Sequence, residues 1–203
     1  MTSKQAILDA IRRAQPAVRI AEQNPAPDFE PTTYADPLAQ FARVLSEVGG
    51  HCVSAADAVS VNAVLAEMPA WTAGRKRLSL VAGVGDATFD LAAVADPHEL
   101  EDVDMAIVGG EFAVAENGAV WVTDRQLHQR AILFIAQHLA LVVPRAAIVN
   151  NLHEAYARLS FGGPGFGVFI SGPSKTADIE QSLVIGAHGP RSLTVFLIGP
   201  PGS

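Results

Sequence analysis

Four short apolar runs recur along the 203-residue chain: Leu78-Ser-Leu-Val81, Met105-Ala-Ile-Val108, His138-Leu-Ala-Leu-Val-Val143 and Leu193-Thr-Val-Phe-Leu-Ile198. Runs that are apolar at successive positions, rather than alternate ones, belong to strands covered on both faces. Helical stretches between them imply βαβ units and hence a mostly parallel sheet. A composition of 49% hydrophobic and 17% charged residues suits such burial. The expected fold is therefore α/β, a layered and mostly parallel sheet flanked by helices.

Residues 3–14 read as a short amphipathic helix with Ala6, Ile7, Ala10 and Ile11 on one face. The next stretch, 15–37, carries Pro16, Pro25, Pro27, Pro31 and Pro37 and reads as an extended linker. The expected division is residues 1–36, an N-terminal helix with its proline-rich linker, and residues 37–203, the α/β domain. Such a linker can reach a neighbouring subunit, which leaves room for a homo-oligomer. Leu38, Phe41, Ala42, Leu45 and Val48 follow a helical period closed by Gly49-Gly50. His51 to Val53 reads as a short strand, and Ala55 to Met68 as a helix stopped by Pro69. Phe112–Ala115 and Ala119–Val122 flank Asn117-Gly118, the signature of a hairpin with a type I′ turn. A further helix is expected over 150–159, capped by Asn150 or Asn151.

The net charge of −7 argues against nucleic acid as a partner, since that binding rests on Lys and Arg. The one basic cluster, Arg75-Lys76-Arg77, reads as a solvated loop before a strand. No apolar run approaches the ~20 residues needed to span a bilayer, and the N-terminus lacks the apolar core of a signal peptide. The single cysteine, Cys52, allows no internal disulfide and no cluster of thiolates, so it reads as buried and inert in a cytoplasmic protein. His138 reads as a hydrogen-bonded core residue. No His spacing suits a metal, and no metal site is expected. Lys175-Thr176 follows Ser174 rather than Gly, so a Walker loop fails on spacing, and Gly-x-Ser-x-Gly is absent.

The polar residues crowd instead between two apolar runs, from Ser171 to Arg191. Loops hung between strands are where α/β proteins usually place their sites. Pro173 bars a helix through residues 171–173, whereas Asp178 with Gln181 forms a capping-box pattern for a short helix ending at Gly186. Free N–H groups at that helix start, beside Ser174, Lys175 and Thr176, would suit a carboxylate or phosphate. The candidate ligand-binding residues are Ser171, Gly172, Ser174, Lys175, Thr176, Asp178, Glu180 and Gly189. The candidate catalytic residues are His188, set between glycines, and Glu116, a carboxylate at the hairpin tip.

Two of these segments also resemble a known family. Gly172-Pro-Ser-Lys-Thr-Ala-Asp-Ile-Glu180 with Gly186-Ala-His-Gly-Pro-Arg191 is similar to the C-terminal signature of LUD-domain proteins, the lactate utilisation protein C (LutC/YkgG) family. Phe112-Ala-Val-Ala-Glu-Asn-Gly-Ala119 resembles that family's Ala-Glu-Thr-Gly-Thr segment, and His138–Val143 its His-bearing strand. The resemblance spans roughly residues 37 to 200. It implies a fold like the NagB/RpiA/CoA-transferase group and an accessory role in oxidising L-lactate to pyruvate alongside iron–sulfur oxidoreductase subunits. The chain itself would carry no cofactor, the iron–sulfur clusters residing in those partners. Lys175 stands where the family usually has Arg, and Asn117 where Thr is usual. Glu116-Asn117-Gly118 also approaches the Ser-Glu-Asn-Gly motif of CoA-transferases, whose glutamate is the nucleophile. That leaves an acyl-transfer enzyme as an alternative, beside a non-catalytic scaffold or sensor of small molecules.

Overall fold

The computed structural model describes residues 3–14, 30–125, 127–159, 165–176 and 184–200. The chain divides into two units, Met1–Pro31 and Thr32–Ser203. In the first, α1 (Ser3–Ala14) forms as expected, and Ile7, Leu8 and Ile11 are exposed on it. Residues 15–29, most of the expected linker, lie outside the described residues.

The second unit opens with α2 (Pro37–Glu47). Asp36 caps it by accepting the Ala39 N–H at 2.9 Å, and Pro37 occupies the first turn, where a missing N–H costs nothing. Gly49, at φ 85, follows its end. Strand β1 (His51–Ala55) runs past the expected Val53, and Asp57 then caps α3 (Ala58–Glu67), so that helix starts later than Ala55. Pro69 stops α3 and also opens a one-turn helix, α4 (Pro69–Thr72), because proline suits a first turn as well as it breaks an interior. There follow β2 (Arg77–Ser79), β3 (Met105–Gly109), β4 (Phe112–Val114), β5 (Ala119–Thr123), α5 (Ile132–Ile135) and β6 (His138–Pro144). The remainder is β7 (Ile148–Val149), α6 (Leu152–Arg158, capped by Asn151), β8 (Gly167–Ile170), β9 (Lys175–Thr176), β10 (Val184–Ile185) and β11 (Ser192–Ile198).

The apolar runs assemble as their composition requires. A five-stranded sheet in the order β1-β11-β6-β3-β2 is parallel throughout. The hairpin β4–β5 sits at the centre of a second, mixed sheet ordered β7-β4-β5-β8. Between the two sheets Leu139, Leu141, Val143, Leu193 and Val195 meet Ala113, Ala115, Val120 and Val122, with Phe41 and Leu45 of α2 in the same core. The intervening residues of the parallel strands, Ile107, Ala140, Val142 and Phe196, pack on the other face against Val61, Leu65 and Trp71 of α3 and α4. The outer face of the mixed sheet, Phe112, Val114 and Val149, packs with Ala155 of α6. The order of layers is helix, sheet, sheet, helix. This confirms the α/β fold with a mostly parallel sheet.

Two local expectations are corrected. The hairpin closes not by a two-residue type I′ turn but by Ala115-Glu116-Asn117-Gly118, because Val114 is already paired with Ala119. Ala115 and Glu116 instead give their N–H groups to Val149 and Asn150, and Gly118 alone takes a positive φ of 65. In the Arg75-Lys76-Arg77 cluster the Arg75 side chain is exposed as expected, whereas Lys76 and Arg77 are tied down. Asp104 accepts both the Arg75 and Lys76 N–H groups, Lys76 pairs with Asp102, and Arg77 pairs with Asp86 while lying over the Trp71 ring.

Gly118 joins the hairpin to α2: a Cβ there would sit 2.9 Å from Leu45 N and 3.0 Å from its Cα. Backbone cannot yield as a side chain can, and the φ is also unfavourable for alanine. Gly118→Ala is therefore expected to cost about 2–4 kcal/mol in urea unfolding. Gly165→Ala, whose Cβ would meet nothing closer than 3.8 Å, serves as the control and stays within about 1 kcal/mol.

Candidate functional site

The polar loop of the sequence joins the two sheets. It leaves β8, an edge strand of the mixed sheet, and enters β11, inside the parallel one. Arg191 donates its N–H to Gln137 O at 2.8 Å, next to the first residues of β6 and β11. The loop thus lies at the amino edge of the parallel sheet, whereas open α/β sheets usually hold ligands at the carboxyl edge.

Its two ends close on one another. Ser174 donates its N–H to Pro190 O at 2.9 Å, and its own carbonyl accepts from Gly186 N–H at 2.9 Å. Gly189 lies against Ser174; an added Cβ would be 3.0 Å from the serine Cβ. Gly172, at φ 74, is pressed on the end of α2, where a Cβ would meet Val48 O at 2.5 Å. Under this closure lies a cleft of about 210 Å³. Its walls are Leu133, Phe134, Leu139, Leu193, Val168 and Ile170, and its polar side carries Gly172, Ser174, His188 and Gly189. His188 is exposed. The walls were invisible to a search for polar chemistry. Phe134, 46% exposed and edge-on to Phe166, is their one outward sign.

Lys175 and Thr176 do not line the cleft. They form β9, paired antiparallel with β10 as Lys175↔Ile185 and Thr176↔Val184. Val184 and Ile185 are therefore strand, which corrects the helix expected to end at Gly186. Asp178 and Glu180 lie outside the described residues. Lys175 is exposed, passes near Gly49, and has no ion-pair partner among the described residues.

Ser171 links this loop to the hairpin by donating its hydroxyl to Asn117 O at 2.8 Å. The two segments singled out by sequence thus meet. Glu116 itself is occupied otherwise: its Oε2 accepts the Leu152 N–H at 2.8 Å, in the first turn of α6, and it is absent from the cleft lining. His138 is half-buried, with Nδ1 2.8 Å from Ser192 Oγ. Burial holds its pKa below the ordinary imidazole value; Arg191 adds to this and Asp104 opposes it. Burial pushes the Cys52 thiol up to about 11, which leaves it protonated and unreactive at neutral pH. No group of three His, Cys, Asp or Glu among the described residues could hold a metal ion. No helix among them is long and apolar enough to cross a membrane.

Two outcomes follow from these contacts. Because Glu116 caps α6, Glu116→Ala should lower stability by about 0.5–2 kcal/mol whatever its effect on function, measured by urea unfolding. Because folded His138 resists protonation, the folded state binds fewer protons than the unfolded one below the ordinary imidazole pKa. Its contribution is present above about pH 6.5 and is lost as pH falls through the depressed folded value. His138→Gln should flatten the decline in melting temperature over that window relative to the unaltered protein.

Residues 92–198 match the LUD domain family. Over 104 residues the chain is 33% identical to lactate utilization protein C of Geobacillus kaustophilus (strain HTA426), which covers 48% of this chain and 43% of that protein. Over 114 residues it is 30% identical to lactate utilization protein C 1 of Bacillus mycoides (strain KBAB4), covering 53% and 46% respectively. The match thus spans less than half the length of these curated relatives. A crystal structure of a DUF162 family protein from Deinococcus radiodurans superposes with a TM-score of 0.63 at 21% identity, covering 83% of this chain and all of that one, a likeness of fold. With the signature loop, the hairpin and the layered sheets in place, the chain belongs to the LUD domain family.

Proposed function

We propose that this protein is a ligand-binding accessory subunit for the oxidation of L-lactate, or a closely related organic acid, to the corresponding oxo acid. The observation that carries this reading is the closure of residues 172–174 on 188–190 over a cleft of about 210 Å³, in a chain similar to proteins named for lactate utilisation. A space of that size suits a molecule of few heavy atoms. Its apolar walls would hold a short carbon chain, while Ser174 and His188 offer hydrogen bonds to a carboxylate or hydroxyl. Lys175, exposed and unpaired among the described residues, would draw the anion towards the loop.

Oxidation of a hydroxy acid removes two electrons and two protons from the substrate. A cluster to receive those electrons takes four cysteine thiolates, and this chain has one cysteine. The clusters would therefore belong to iron–sulfur partner subunits in the cytoplasm, with this chain binding or presenting the acid. An acyl-transfer role draws less support, because the Glu116 carboxylate is engaged on the α6 backbone rather than turned to the cleft.

Two measurements test this. In the source organism, an in-frame deletion should abolish growth on L-lactate as sole carbon source and leave growth on pyruvate intact; normal growth on lactate overturns the reading. Affinity purification of the full chain should bring down Cys-rich iron–sulfur proteins, and His188→Ala or Ser174→Ala should weaken stabilisation by L-lactate in a thermal-shift titration. A ligand at 100 times its dissociation constant stabilises a fold by about 2.7 kcal/mol, so the shift is readable.

A further inference from the structure

The cleft beneath residues 172–174 and 188–190 draws its lining from both sheets. Its floor includes Leu139 and Leu193, register partners at the amino ends of β6 and β11 and both buried. One wall is Leu133 and Phe134 of α5. The other is Val168 and Ile170, which share one face of the edge strand β8. Leu133, Leu139 and Leu193 belong to the main core, and Val168 and Ile170 pack against it. The apolar lining is therefore an open end of the core itself, held in place by the fold.

Against this lining the polar capacity of the cleft is small. No Lys, Arg, Asp or Glu is among the described residues that line it. Ser174 spends its N–H on Pro190 O and its carbonyl on the Gly186 N–H, which leaves its hydroxyl for a ligand. With the His188 imidazole, that is hydrogen bonding for one head group. Lys175 is exposed and outside the lining, so it steers a carboxylate towards the rim without holding what lies inside. Affinity within the cleft must come from apolar burial. A dry cavity of about 150 Å³ accepts a six-carbon ring, so one of about 210 Å³ admits about eight heavy atoms. L-Lactate would bring a single methyl group to these walls and leave most of them uncovered.

From this mismatch we infer that the preferred ligand is a 2-hydroxy acid longer than lactate, with an aliphatic side chain of about three to four carbons. Its carboxylate and hydroxyl sit at the rim with Ser174 and His188, and its chain runs inward between α5 and β8 onto Leu139 and Leu193. The inference rests on the reading of the cleft as the site of an organic acid, and it narrows the class of that acid. Each added methylene covers more of the walls, until the chain reaches the end of the space.

The experiment is a calorimetric titration of the full chain with L-lactate and the L-2-hydroxy acids of four, five, six and ten carbons. The dissociation constant should fall about two- to fourfold per methylene up to the six-carbon acid and improve no further at ten carbons. Ser174→Ala should weaken every member by a similar factor and keep the slope, because it touches only the head group. Val168→Phe should fill the cleft and move the tightest binding to a shorter acid. Phe134→Ala removes a wall at a position 46% exposed and should flatten the slope, which keeps the test decisive if Val168→Phe fails to fold. If L-lactate binds as tightly as the six-carbon acid, the chain-length inference is overturned while the acid reading of the cleft stands. If no member binds, that reading fails and the inference with it. A slope unchanged in both Phe134→Ala and Val168→Phe places the chain elsewhere and also overturns the inference.

Discussion

The architecture depends on burying β6 and β11 on both faces. Each contributes successive residues to two separate cores: Leu139, Leu141, Leu193 and Val195 on one side, Ala140, Val142 and Phe196 on the other. A parallel strand in this position cannot be reached by a tight turn, so the chain must travel from the carboxyl edge back to the amino edge before each new strand. Between β6 and β11 that journey includes β7, α6 and β8, which border and complete the second sheet. The layer that covers β6 and β11 is therefore built in part from the connection between them.

This connectivity explains why the polar loop lies where it does. Residues 171–191 lead into β11, and any segment entering a parallel strand must do so at the amino edge. The fold then uses glycines to bring the loop down on its neighbours: Gly172 on Val48 and Gly189 on Ser174. Ser171, through Asn117, ties the same loop to the hairpin of the other sheet. The cleft beneath is thus framed by both sheets. A change in the hairpin tip would reach the cleft through one hydrogen bond and the end of α2.

Much of this was legible in the sequence, because doubly buried strands announce themselves as unbroken apolar runs. Helix ends were readable too, where Asn151 and Gly49 supply local chemistry that does not depend on tertiary context. What escaped was set by long-range pairing. The type I′ expectation failed because Ala115 and Glu116 bond to Val149 and Asn150, partners far along the chain. Val184 and Ile185 have a helix-compatible pattern but pair with Thr176 and Lys175. Glu116 carried a catalytic signature locally and proved to cap α6, a helix starting 36 residues later, which no local pattern reveals. The cleft walls gave no signal, since Leu133, Val168 and Leu193 look like any core residue.

The charge distribution sharpens the contrast between the two edges. A chain of net charge −7 repels small anions on average, so any anion site must rest on a local cation with little local competition. Several arginines are committed to carboxylates: Arg43 to Glu47, Arg77 to Asp86, Arg130 to Asp124. Lys175 and Arg145 are among the basic residues with no such partner among the described residues, and they differ in setting. Lys175 is exposed, so water and salt screen it and it can steer a ligand more than hold it. Arg145 is half-buried, lies against Gly199, and acts on the nearby Cys52 thiol. If the cleft binds the proposed acid, selectivity there comes from the shape of its apolar walls.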